Sequence, residues 1–158
     1  MAYPRITSLD FLQRCSPNTA AFYRYWEAMR HGRVMPARAD LDPVEMKRWL
    51  PGIILVSVLY DPFRLVYRLV GERPIQLRDH NPTGMTVQEG YHGRSLDEVL
   101  ENYRLVVEEK TLVYDWDHYP SRSGYLQESE TLLLPLSADG EIVDMVILYV
   151  EITRNLPA

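Results

Sequence analysis

The stretch GIILVSVLYDPFRLVYRLVG, Gly52 to Gly71, decides the fold. Ile53, Ile54, Leu55, Val56, Val58 and Leu59 form an apolar run interrupted only by Ser57, which predicts a strand over Gly52–Tyr60 covered on both faces. Asp61-Pro62 supplies turn chemistry. Phe63 to Val70 then alternates, with Phe63, Leu65, Tyr67 and Leu69 on one face and Arg64, Val66, Arg68 and Val70 on the other, so the two runs predict a tight hairpin.

Upstream of this hairpin, Ser16-Pro17 opens a helix expected over about 17–31, with serine as cap and proline in the first turn. Phe22, Tyr25, Trp26 and Met29 fall on one stripe, and Gly32 can adopt the left-handed conformation that ends the helix. Asp42-Pro43 with Glu45 predicts a second, short helix ending before Pro51. Downstream, 71–93 has no clean period and predicts short helical turns and loops. Ser95 and Glu98 form a capping-box pattern for a helix ending near Lys110, with Leu96, Val99, Leu100, Tyr103, Val106 and Val107 at helical spacing.

Three strands close the chain. In Thr111–Tyr119, Leu112, Tyr114, Trp116 and His118 share one side, and Asp115 and Asp117 lie on the other. Ser121–Gly124 reads as a turn, followed by a strand over Tyr125–Leu136, a hairpin signal at Asp139-Gly140 and a last strand over Ile142–Ile152. The expected class is α+β: a five-stranded antiparallel sheet with a helical crossover on one face and an N-terminal flanking helix. Residues 1–15 are expected to form an N-terminal segment, and 16–158 a single domain.

The order of elements, together with Trp26, Arg30, Gly32, Pro36, Asp42-Pro43, Leu50-Pro51, Tyr67-Arg68-Leu69, Gly71 and Thr83-Gly84, resembles a PAS domain. It is specifically similar to the compact single-domain PAS family common in alphaproteobacteria. Leu134-Pro135-Leu136 before Asp139-Gly140 resembles that family's last hairpin, and the resemblance spans about Trp26 to Val150. The chain departs from the pattern at Glu72, where the family carries threonine, and at Asp79-His80-Asn81-Pro82, where it carries a Gly-Arg-Asp run.

The resemblance implies a stand-alone sensory or regulatory domain that binds a small molecule, a partner protein or both, and signals by protein contact. It implies a cavity between sheet and crossover, with Tyr67, Leu69, Leu77, Met85, Tyr103, Tyr114, Trp116 and Met145 as candidate lining. Arg68 is a candidate anion contact, set against an ion pair with Glu128 or Glu130, and Arg73 is expected at the surface. A flanking helix of this kind also implies a homodimer, with Phe22, Tyr25, Trp26 and Met29 as the candidate interface.

Composition narrows the alternatives. At 158 residues, with 46% hydrophobic and 25% charged residues, the chain can bury a core without metals or disulfides. Its net charge of −5 argues against nucleic acid and against an anionic membrane surface. One cysteine, Cys15, suits a reducing cytoplasm, and the N-terminus lacks the apolar run of a signal peptide. The length leaves no room for a separate output module beside the core.

His80, His92 and His118 match no compact metal-ligand spacing, so no metal and no haem are expected. Cys15 precedes the first helix, outside the expected cavity, which argues against a flavin adduct. The cofactor, if one exists, is left open. No nucleophile or nucleotide-binding motif is present. A ligand-free protein-interaction module is the first alternative. A small cone-shaped isomerase or hydrolase is the second; it would need an internal acid–base pair such as His118 with Asp115, which strand parity places on opposite faces.

Overall fold

A computed structural model describes residues 3–93, 95–120 and 125–157. The expected hairpin forms as β2 (Ile53–Leu59) and β3 (Arg64–Val70). The three closing strands are β4 (Val113–Pro120), β5 (Tyr125–Leu136) and β6 (Met145–Pro157). The turn expected at Ser121–Gly124 lies outside the described residues. All described pairings are antiparallel, in the order β1 (Arg5–Ile6), β4, β5, β6, β2, β3. The sixth strand, β1, is an addition to the expected five: it pairs Arg5 with Asp115 and Ile6 with Tyr114 along the outer edge of β4. A two-residue strand has too little pattern to be read from sequence.

Helix α1 (Pro17–Met29) begins where the cap predicts, with Ser16 Oγ accepting from the Thr19 amide at 3.3 Å. His31 and Gly32 both take positive φ after it, at 51° and 82°. Helix α1 does not share a face with the crossover. Phe22 packs its ring against Trp49 and Tyr149, Phe11 packs between Tyr23 and Tyr114, and the Trp26 indole donates to the Pro135 carbonyl at 3.0 Å. The crossover comprises α2 (Glu72–Arg78), α3 (Val87–Gly90) and α4 (Leu96–Glu108), and it packs on the opposite face. The sheet is thus covered on both sides, which is why β2 reads as a continuous apolar run.

Three local expectations change. Residues 43–49 form a run of turns rather than a helix: Asp42 Oδ1 takes the Val44 amide, and Glu45, instead of closing a box, accepts from the Tyr25 hydroxyl. At the start of α4, Ser95 caps Glu98, but the Glu98 carboxylate turns to Arg5 at 2.8 Å. The β5–β6 connection is a longer loop, 137–144, folded around Asp139, whose Oδ1 accepts the Glu141 and Ile142 amides.

A bulge in β3 has the largest consequence. Leu55 pairs with Leu69 while Val56 pairs with Tyr67, so Arg68 is the extra residue. The bulge turns Leu69 away from the face of Tyr67, and on this edge strand it is left 43% exposed.

Candidate functional site

Between the sheet and the crossover lies a cavity of about 60 Å³. That is room for a few water-sized groups, well below the ~300 Å³ at which drug-sized pockets begin. The crossover lines it with Leu77 and Arg78 of α2 and with Val99, Asn102 and Tyr103 of α4. The sheet contributes Ile54 from β2, Tyr67 from β3, Asp115 and Asp117 from β4, Ser129, Thr131 and Leu133 from β5, and Leu148 and Val150 from β6.

The predicted lining divides accordingly. Tyr67, Leu77 and Tyr103 are on the cavity wall. Leu69 and Met85 are exposed, Leu69 because of the bulge. Arg68 is exposed at the bulge itself, and the arginine that reaches the cavity is Arg78. Arg73, expected at the surface, is partly buried and donates to the Val150 carbonyl at 2.9 Å. Met145 packs into the core at the start of β6, away from the cavity. Tyr114 and Trp116 face the other way, toward Phe11 and Arg14. The expected alternation along β4 holds, but each face meets the opposite layer from the one expected. The aromatic face packs under the N-terminal segment, and the acidic face lines the cavity.

At that acidic wall, Asp115 Oδ2 accepts from the Tyr3 hydroxyl at 2.9 Å and from Asn102 Nδ2 at 2.8 Å. Asn102 Oδ1 accepts from Arg5 Nε at 2.7 Å, and Arg5 Nη2 reaches the Glu98 carboxylate and carbonyl. The N-terminal segment therefore completes one wall of the cavity. Burial pushes the Asp115 carboxyl up to about 6; the Tyr3 and Asn102 hydrogen bonds oppose this, Asp117 adds to it and Arg5 opposes it. Burial, reinforced by Arg78, lowers the His92 imidazole, against the pull of Asp117. The Arg78 guanidinium lies 4.8 Å from the Tyr67 ring centroid and donates to the Gly90 carbonyl at 2.9 Å. Burial raises the Tyr103 phenol well above its ordinary value, so it stays a neutral donor.

Sequence reasoning missed Asn102, His92 and the N-terminal residues. Asn102 carried a signal: it stands three residues after Val99, on the apolar stripe of α4. A polar residue there needs a buried partner. Tyr3 and Arg5 carried none, since their contacts span about a hundred positions.

On the opposite face, Glu130 is 1% exposed and accepts from Thr19, Tyr114 and the Ser16 amide. Glu128 meets Arg154 at 2.8 Å and His118 at 3.0 Å. His118 is thus across the sheet from Asp115, so the pair that an isomerase reading would need does not assemble. Cys15 also lies on that far side, its thiol pushed up to about 11 by burial and by Glu130. The chain's single cysteine is therefore no wall of the cavity. Among the described residues, no group of His, Cys, Asp or Glu side chains is placed to hold a metal ion. Nor is any described helix long and apolar enough to cross a membrane.

The stripe assigned to a dimer is spent largely inside the chain. Phe22 and Trp26 are buried, while Tyr25 and Met29 are partly buried against the same core.

The fold has counterparts among solved structures. A light-oxygen-voltage domain studied with a flavin analogue aligns with TM-score 0.51 at 9% identity, covering 70% of this chain and 83% of that one. A fungal light-oxygen-voltage photoreceptor domain aligns at 0.48 and 14% identity, covering 92% and 99%. An RNA-binding light-oxygen-voltage receptor aligns at 0.46 and 15%, over 72% of this chain and 34% of that one. At these identities the likeness concerns the fold alone. No curated protein matches the chain. A family model described as PAS domain matches residues 14–148, most of the chain and all of the sheet but its first strand and most of its last, and the chain belongs to the PAS domain family.

Proposed function

We propose that this PAS domain is a regulatory module whose cavity takes a small molecule, and whose response is passed to a partner protein by surface contact. The observation that carries the reading is the polar wall, Asp115–Asn102–Arg5 with Tyr3, set against the apolar side chains of Ile54, Leu77, Val99, Leu133, Leu148 and Val150. A buried polar wall costs stability that an apolar one would not, and a specific ligand is a reason to keep it. Occupancy favours one arrangement of the crossover and the N-terminal segment against the sheet, because both contribute to the same wall. The chain's single cysteine supports a cytoplasmic setting.

Native mass spectrometry tests the reading directly. A mass excess that disappears on denaturation is the expected result. A bare mass, together with no saturable change at cavity residues on adding small-molecule probes, refutes it. The homodimer belongs to this proposal too, through a surface other than Phe22 and Trp26; sedimentation velocity at high protein concentration reads it.

The cavity's small volume favours a second reading, a ligand-free interaction module. Leu59, Tyr60 and Phe63 are exposed at the tip of the β2–β3 hairpin and would be its apolar contacts.

A further inference from the structure

The cavity's acidic wall also indicates the chemistry of its ligand. Both hydrogen bonds received by the Asp115 carboxylate among the described residues end on Oδ2, from Tyr3 and Asn102. Oδ1 receives neither. Among the described residues, the nearby arginines are committed elsewhere: Arg5 to Asn102 and Glu98, Arg78 to the Gly90 carbonyl and the face of Tyr67. Asp115 forms no salt bridge among the described residues, and a second carboxylate, Asp117, lines the same cavity. A covered carboxylate without a cationic partner is costly, and a ligand bearing that cation relieves the cost.

The remaining lining suits the same kind of molecule. Tyr103 offers aromatic surface, which favours cations, while Arg78 already covers the ring of Tyr67. Leu77, Val99, Leu133 and Leu148 supply apolar wall for a carbon frame. The volume of about 60 Å³ limits that frame to a few heavy atoms. Among the described residues, an anionic ligand would meet the Asp115 and Asp117 carboxylates, with Arg78 the one lining arginine and already in use.

We infer that the cavity selects a small organic cation, a primary ammonium group on a short carbon frame, received at Oδ1 of Asp115. The inference rests on the proposed ligand-taking role of the cavity and names its ligand class.

The test uses three probes of similar size, ethylammonium, propionate and 1-propanol, added to the ¹⁵N-labelled full chain. The Asn102 side-chain amide is the reporter, because its Nδ2 bonds Asp115 directly. Ethylammonium should shift that signal saturably, and Asp115→Asn should weaken its binding about tenfold or more, the loss expected for a charge-assisted hydrogen bond. Asp117→Asn, which leaves the Asp115 hydrogen bonds in place, should weaken it less. If propionate or propanol binds as well as ethylammonium, or if Asp115→Asn leaves ethylammonium binding unchanged, the cation assignment fails while the ligand-binding role stands. If no probe moves any cavity signal and the native mass is bare, both fail.

Discussion

Asp115→Asn should stabilise the protein at neutral pH, and by an amount that depends on pH. The folded chain holds the Asp115 carboxyl at about 6, against an ordinary value of 3.8. Two units at ~1.36 kcal/mol each set a ceiling of about 3 kcal/mol on what the charged form costs the fold. The side chain is only partly buried, and solvent screening reduces this to about 1–2 kcal/mol. Because the raised value means that the native state binds the proton more tightly than the unfolded state, stability gained from this group grows as pH falls from about 6 toward 4. Above pH 7 the full cost is present. Asparagine removes the charge and keeps a carbonyl oxygen for Tyr3 and Asn102.

Urea unfolding followed by fluorescence of Trp26, Trp49 and Trp116 at pH 4 to 8 measures both proteins. The variant should be more stable by about 1–2 kcal/mol at pH 7.5, with the difference vanishing near pH 4. Asp139 and Glu128, held low by backbone amides and by hydrogen bonds with Thr153 and Arg154, lose stability on acidification in both proteins and cancel in the difference. A difference that stays flat across this range would refute the argument that burial makes the Asp115 charge costly.

Three other substitutions probe the scaffold. Glu130→Ala strands donors from Thr19, Tyr114 and Ser16 and should cost about 3–5 kcal/mol, with Glu130→Gln costing about half; thermal unfolding of both decides whether this carboxylate holds α1 on the sheet, and a loss under about 1 kcal/mol would say it does not. Gly71→Ala would put a Cβ 2.6 Å from the Pro51 carbonyl and 2.8 Å from that of Leu50, backbone atoms that cannot swing aside, so a loss of about 2 kcal/mol or more is expected in chemical denaturation. On β3, Leu65→Ala should cost about 2–4 kcal/mol while Leu69→Lys stays within about 0.5 kcal/mol; equal losses would mean that the bulge at Arg68 is absent in solution.

The local features of the chain were legible because short-range chemistry sets them. Ser16-Pro17 and Ser95 start their helices, and the runs at 53–59 and 64–70 form the hairpin. The same alternation in β4 placed Asp115 opposite Tyr114 and Trp116. Thr86 and Glu89 likewise spell a capping box that nothing longer-ranged disturbs.

Only the tertiary structure decided which layer each face of the sheet meets. Period-two patterning states that two faces differ, but it does not say which helix covers which. On this sheet the aromatic face is closed by the chain's own N-terminal segment and α1, so the acidic face is left to form the cavity. The bulge that turns Leu69 outward and the contacts of Tyr3 and Arg5 with the Asp115–Asn102 wall are likewise invisible locally. The Tyr3 and Arg5 contacts join residues about a hundred positions apart, and a one-residue slip in strand pairing costs nothing until the strands meet their neighbours. Sequence by itself determined the family and the order of the main elements, though not β1 or the turns at 43–49; long-range packing determined which side chains became the site.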